Sequence, residues 1–187
     1  MESHTEPQII SIAGLSGSGK TTFLEKLIPV LRAKGYRIGV LKHAHCGFEM
    51  DREGKDSWRH KNAGASATLV ISPGVIALLK DMDYASIEDV KQYLSDMDII
   101  IVEGFKHAEV PKIEIFRKGA GHNEPLFMDS PHLVGFITDS HHRPDVPLFG
   151  LDDVVMVSDF IEKKFMTKNP SSENLVPSGE NLVPQEL

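Results

Sequence analysis

The chain has 187 residues, 41% hydrophobic and 25% charged, and a formal net charge of −7. No apolar run approaches the roughly 20 residues of a membrane span, the polar start MESHTEPQ is no signal peptide, and the acidic balance argues against a general nucleic-acid binder. Cys46 is the only cysteine, which excludes an internal disulfide and fits a reducing cytoplasm.

Residues 8–13 read as a short buried strand. Residues 20–34 read as a helix, with Phe23, Leu24, Leu27, Ile28 and Leu31 on one face and Gly35 as C-cap. Pro29 should kink that helix or open one of its hydrogen bonds. A second strand covers 36–42, a charged glycine-containing loop 43–55, and a short helix 56–63. Two apolar runs, 67–71 and 75–79, flank Ser72-Pro73-Gly74 and predict a hairpin. Ser86 to Leu94 is an amphipathic helix capped by Ser86, with Asp89 three residues on.

Residues 98–102, DIIIV, are apolar on both faces, as parallel strands covered by helices are. The alternating KIEIFR at 112–117 predicts an edge or half-exposed strand. LVGFIT at 133–138 predicts another buried strand, and a final helix covers about 158–166. From Thr167 the chain changes character: ENLVP occurs at 173–177 and again at 180–184, each copy with a proline, and disorder is expected over 168–187. The domain of 1–167 is therefore expected to be α/β, a three-layer αβα fold with a mostly parallel sheet and helices on both faces, and the G-x-x-x-x-G-K-[ST] match at Gly14–Thr21 makes the expected fold that of a P-loop NTPase. Its ligand belongs at the carboxyl ends of the strands.

Gly14-Leu15-Ser16-Gly17-Ser18-Gly19-Lys20-Thr21 follows the first strand and matches G-x-x-x-x-G-K-[ST] in full, with Thr22 next. Gly14, Gly17 and Gly19 let backbone amides turn inward around a phosphate. Ser16, Ser18 and Thr22 extend that lining, and the helix start near Lys20 aims its positive end at the same point. Lys20 can reach the β and γ phosphates, and the Thr21 hydroxyl can ligate Mg²⁺. Glu103, ending the DIIIV strand, stands where many such proteins carry the second metal-site carboxylate. Asp98, at the other end of that strand, reads as a strand-start residue.

Other residues in this neighbourhood carry open alternatives. Between Lys34 and Lys61 the chain concentrates basic residues, which suits either an anionic ligand or acidic partner or a plain solvated surface. Lys42, His43, His45 and Cys46 follow the second strand and suit phosphate, pterin or metal. Asp51 suits contact with Mg²⁺ through water, positioning of the attacking water, or the plain role of a solvated loop acid. Lys106 or His107 suits a second anionic substrate. Thr138-Asp139 ends a strand where a guanine-reading carboxylate belongs, but lacks the lysine of [NT]-K-x-D.

Three stretches together, GLSGSGKTT, GVLKHAHCGFEMDREGKDSWRHKNAGA and DIIIVEGFKHAEVPKIEIFR, resemble the molybdopterin-guanine dinucleotide biosynthesis protein B family over roughly residues 8 to 140. The resemblance implies a GTP-binding protein with weak GTPase activity, usually a homodimer. It implies an adaptor beside the molybdenum cofactor guanylyltransferase, which joins GMP to molybdopterin. It places nucleotide phosphates on Gly14 to Thr22, Mg²⁺ near Thr21 and Glu103, and Asp51, Lys55, Asp56 and Arg59 along the site's border. The alternatives are a P-loop small-molecule kinase with Asp51 as acceptor base, a metallochaperone GTPase using His43, His45 and Cys46, and a binding module that uses nucleotide only to hold a shape.

Overall fold

The structure is a computed structural model that describes residues 6–44, 47–83 and 86–166. The expected tail, 168–187, lies outside the described residues. The chain forms two compact units, one drawn from Met1–Lys42 and Ser95–Leu187, the other from His43–Leu94. Among the described residues no helix is long and apolar enough to cross a membrane.

The larger unit holds strands β1 (Gln8–Ala13), β2 (Ile38–Lys42), β5 (Ile99–Glu103), β6 (Lys112–Phe116), β7 (Leu133–Thr138) and β8 (Leu148–Phe149), with helices α1 (Lys20–Ala33) and α4 (Val154–Phe165). The strands form one sheet in the order β2-β5-β1-β6-β7-β8, and every pairing in it is parallel. This is the mostly parallel α/β class expected. Ile10, Ile12, Ile99, Ile101, Ile113, Ile115 and Ile137 pack with Phe23, Leu27 and Leu31 of α1 and with Val157 and Ile161 of α4. Each fully buried side chain of this size contributes roughly 1.5–3 kcal/mol, so the apolar runs in β1, β5 and β7 fix the sheet's interior.

Helix α1 ends as its sequence predicts. Gly35 takes φ 92°, its N–H bonds the Arg32 carbonyl at 2.9 Å, and the Tyr36 N–H reaches back to the Leu31 carbonyl at 3.3 Å, the paired closure of a left-handed glycine stop. Pro29 stays inside the helix. It supplies no N–H to the Glu25 carbonyl, and both residues are exposed, so water can serve the open group. The end of α1 is tied to α4 by Lys34 Nζ, 2.6 Å from both Asp159 and Glu162, and by the Tyr36 hydroxyl, which donates to Glu162 at 2.9 Å.

Two expectations change. The KIEIFR segment is an interior strand between β1 and β7, with all five residues of β6 buried. The Glu114 carboxylate accepts the Leu126 and Phe127 amides at 2.6 and 3.0 Å. The Lys112 ammonium donates to the carbonyls of Ala108 and Val110. Each buried polar group therefore has a backbone partner, which is what makes its burial tolerable. Burial pushes the Glu114 carboxyl above its ordinary range, against those two amides, and pushes the Lys112 ammonium below its own. Helix α4 starts at Val154 rather than near 158: its β-branched first turn resembles a strand, yet Val154, Val157 and Ile161 line one buried helical face. The two-residue strand β8 leaves no periodic trace in the sequence. Part of the basic stretch is also neutralised within the larger unit, Lys34 by α4 and Arg37 by Asp96.

The smaller unit contains helix α2 (Asp56–Asn62), the antiparallel hairpin β3 (Ala67–Ser72) and β4 (Val75–Lys80), and α3 (Ile87–Lys91) running into a 3-10 turn at Gln92–Leu94. Ser86 and Asp89 form the reciprocal capping box expected at the start of α3. In the hairpin the cross-strand pairs Leu69–Leu78 and Ile71–Ile76 share one face, and all four are exposed, Ile71 and Ile76 by 70% and 69%.

Candidate functional site

Strand β1 passes directly into the glycine loop. Gly14 has φ +138°, and a Cβ there would lie 2.4 Å from the Ile115 carbonyl oxygen of neighbouring β6, so glycine is required by space as well as by conformation. At Gly17 and Gly19, with φ +76° and +93°, no described residue beyond the adjoining chain stands within 4 Å of the position a Cβ would take. They are glycines because the backbone turns left-handed there. Gly19 is the N-cap of α1, no side chain caps the helix, and its first turn carries no acid. The unsatisfied amides and positive pole of a helix start are thus left for an anion.

Two side chains, Lys20 and Glu103, define the rest of the chemistry at this edge. Lys20 Nζ donates to the Gly14 and Leu15 carbonyls at 3.1 and 2.7 Å. Its burial lowers its pKa below the ordinary lysine value; Glu103 opposes the shift, while Lys106 and Lys42 add to it. Glu103 ends β5 in register with Ile12 of β1 and Lys42 of β2, so the three strand ends share one edge. Its Oε1 accepts the Thr21 hydroxyl at 2.9 Å and lies 3.7 Å from Lys42 Nζ. A threonine hydroxyl converging on a carboxylate oxygen beside the glycine loop is an all-oxygen donor set that fits Mg²⁺, which commonly completes its shell with phosphate oxygens and water. The Ser18 hydroxyl is buried in the loop with no partner among the described residues.

The expected residues therefore divide. Gly14, Ser16, Gly17, Ser18, Gly19, Lys20, Thr21, Thr22, Lys42, Glu103, Lys106 and Asp139 all lie in the larger unit. Lys20, Thr21, Lys42 and Glu103 are in contact or close electrostatic range there. Asp139 follows β7, where its Oδ1 accepts the Lys118 amide at 2.6 Å. Asp98, at the far end of β5, binds the Arg37 amide at 2.6 Å, as a strand-start residue does.

His43, Asp51, Lys55 and Arg59 belong to the smaller unit. Asp51 Oδ1 accepts the Arg52 amide at 2.8 Å and the Ser57 hydroxyl at 3.1 Å, while its buried Oδ2 has no partner among the described residues. Lys55 stands at the N-cap position of α2 without a side-chain capping bond, and Arg59 sits 3.7 Å from Asp56 on an exposed face. His45 and Cys46 lie outside the described residues. Among those described, no group of three or more His, Cys, Asp or Glu side chains gathers as a metal site.

Sequence reasoning misses one contact on the loop itself: His122 Nε2 lies 3.0 Å from the Ser16 carbonyl. The available signal is Gly119-Ala120-Gly121 directly after a strand, but its use requires knowing that β6 lies beside β1.

A family model described as MobB, molybdopterin guanine dinucleotide synthesis protein B, matches residues 9–139. The molybdopterin-guanine dinucleotide biosynthesis adapter protein of Escherichia coli K12 is 38% identical over 175 residues, covering 90% of this chain and 99% of the relative. The protein of the same description from Haemophilus influenzae is 36% identical, covering 82% and 87%. The Bacillus subtilis MobB crystal structure superposes with a TM-score of 0.68 at 27% identity, covering 86% of this chain and 99% of that one. A second crystal structure, of molybdopterin-guanine biosynthesis protein B, gives 0.63 at 28%, covering 83% and 97%. The glycine loop with its Thr21–Glu103 pair lies within the matched residues, and the chain belongs to the molybdopterin-guanine dinucleotide synthesis protein B family.

Proposed function

We propose that this chain is a cytoplasmic adapter in the assembly of molybdopterin-guanine dinucleotide. In this reading it binds GTP with Mg²⁺ on Gly14–Thr22, hydrolyses it slowly, and works beside the guanylyltransferase that joins GMP to molybdopterin. The adapter role is that of the relatives. The observation that carries the nucleotide reading is the convergence of an uncapped helix start, Lys20 and the Thr21–Glu103 pair at one edge of the sheet.

Loop amides and Lys20 bind the β and γ phosphates, Lys20 exchanging the Gly14 and Leu15 carbonyls for phosphate oxygens. Thr21 and Glu103 would hold Mg²⁺, which supplies charge neutralisation at the phosphates when bound. Asp139 reads the guanine N1 and N2 hydrogens. Asp51, whose Oδ2 has no partner among the described residues, orients the attacking water. Lys42, Lys106, Lys55, Arg59, His43 and His45 supply positive or polar contacts to the nucleotide or to molybdopterin. Turnover is slow in this reading because the chain's motifs assign neither an arginine finger nor a water-orienting glutamine, groups that carry large rate factors.

The exposed apolar face of β3 and β4 supports a homodimer, since an isolated hairpin is marginal in water and a clustered apolar patch marks an interaction surface.

The test is a phosphate-release assay with GTP and ATP on wild type and Lys20→Ala, paired with deletion of the gene. Slow, Lys20-dependent GTP hydrolysis and accumulation of molybdopterin with loss of its guanine dinucleotide form are expected. Normal dinucleotide levels in the deletion strain would remove the proposed role.

A further inference from the structure

Residues 117–132 join β6 to β7 without a helix or strand of their own. A connection this long in a compact unit is uncommon and usually functional. Here it is pinned at four places within the larger unit. The Lys118 amide donates to Asp139 Oδ1 at 2.6 Å. His122 Nε2 meets the Ser16 carbonyl at 3.0 Å. Glu124 Oε2 meets His142 Nε2 at 3.1 Å. The Leu126 and Phe127 amides bind buried Glu114. Gly119 and Gly121, at φ 82° and 80°, turn the chain between the first two ties.

The chemistry of these ties is directional. A carbonyl only accepts, so His122 Nε2 carries the hydrogen that it gives to Ser16. In a planar trans peptide the next N–H points opposite the carbonyl. Lys20 holds the Gly14 and Leu15 carbonyls until phosphate oxygens replace them, whereas His122, bonded to Ser16, keeps its tie and fixes the direction of the Gly17 N–H. The Glu124 carboxylate likewise requires a hydrogen on His142 Nε2. In the neutral ring Nδ1 then accepts from the Ser140 hydroxyl at 3.0 Å, and Ser140 Oγ accepts from Thr138 at 2.8 Å. This relay immobilises both sequence neighbours of Asp139. His142 is 11% exposed at its side chain and its ring packs edge-on against Phe116.

We propose that residues 118–124 form a strap setting the phosphate loop and the Asp139 carboxylate in register for one guanine nucleotide, with His122 and Glu124 as its positioning residues. The inference rests on the reading that GTP binds this loop with its base at Asp139. One strap touching both ends couples them: a base that Asp139 accepts holds the strap, and the strap holds the Gly17 amide toward the phosphates.

The experiment is fluorescence titration of the full chain with N-methylanthraniloyl GTP and ATP, both with Mg²⁺. The variants are His122→Gln, His122→Phe, Glu124→Ala, Asp139→Asn and the double variant His122→Phe with Asp139→Asn. Loss of one amide-type hydrogen bond predicts GTP binding weakened about threefold to tenfold in His122→Phe. ATP binding falls less, so the preference for GTP narrows. His122→Gln, which still offers an N–H to Ser16, stays within about threefold of wild type. Glu124→Ala narrows the preference without touching either ligand. In the Asp139→Asn background the His122→Phe effect on GTP shrinks, because the two sites are coupled. The strap is overturned if wild type binds GTP but His122→Phe weakens GTP and ATP equally and multiplies independently with Asp139→Asn. A wild type that binds no GTP overturns the nucleotide reading itself, and the strap with it.

Discussion

Thr21 Oγ1 donates a 2.9 Å hydrogen bond to Glu103 Oε1, joining the first turn of α1 to the end of β5 across 82 positions of sequence. The contact follows from topology: β1 and β5 are paired in parallel, with Ile12 opposite Glu103, so the loop leaving β1 and the carboxylate ending β5 emerge at one edge. Lys42 approaches the same oxygen from β2. Glu103→Gln removes the negative charge, and Thr21→Val the hydroxyl, from the proposed Mg²⁺ donor pair. Either change should weaken GTP binding at least about tenfold in the presence of Mg²⁺, and chelation of the metal should do the same to wild type. Titrations with and without Mg²⁺ check this: the variants should lose most of the metal's benefit rather than metal-free affinity.

Gly14→Ala should cost more stability than Gly17→Ala. At Gly14 the added methyl meets a backbone carbonyl of β6 at 2.4 Å, in a position that cannot rotate away. At Gly17 only the left-handed conformation is strained. Urea denaturation should show a loss of about 2–4 kcal/mol for Gly14→Ala and about 1 kcal/mol for Gly17→Ala.

Glu114→Ala should destabilise by about 2–4 kcal/mol, because the Leu126 and Phe127 amides lose their acceptors inside the protein. Glu114→Gln keeps one carbonyl acceptor and should lose less. Equal losses in denaturant titrations would contradict the account of β6.

Stability should fall between about pH 10 and pH 12 through Tyr36. Burial first, and then its bond to the Glu162 carboxylate, push the phenol from 10.0 up to about 12. The folded state therefore holds this proton more tightly than the unfolded chain. The contribution is full below pH 10 and is lost as pH climbs through the folded value. Its size is about 2–3 kcal/mol. Tyr36→Phe should flatten this part of a stability-against-pH curve measured by urea denaturation.

Ile71→Lys combined with Ile76→Lys places charge on the exposed hairpin face. Sedimentation velocity should show a dimer for wild type and a monomer for the double variant, with the thermal transition of the larger unit retained.

Much of this architecture is legible in the residues. Strands β1, β5 and β7 are continuous apolar runs because parallel strands in a helix-covered sheet are buried on both faces, and α1 announces itself by its apolar face and its glycine stop. The glycine loop and Glu103 are legible for the same reason: their chemistry is local, and strand direction alone puts both at the carboxyl edge. Strand β6 reads wrongly as an edge because its Lys112 and Glu114 find their partners in the backbone of 108–110 and 126–127, and such pairing leaves no periodic signal. The same applies to His122 and to the Thr138-Ser140-His142-Glu124 relay, which exist only because β6 lies between β1 and β7. The first turn of α4 is hidden by β-branched residues that suit a strand as well as a helix face.

The most direct measurement is isothermal titration of GTP with Mg²⁺ into wild type and Lys20→Ala. The account predicts saturable one-site binding by wild type, stronger for GTP than for ATP, and its loss in a Lys20→Ala protein that remains folded. Undiminished GTP binding by Lys20→Ala, or no binding by wild type, would contradict it.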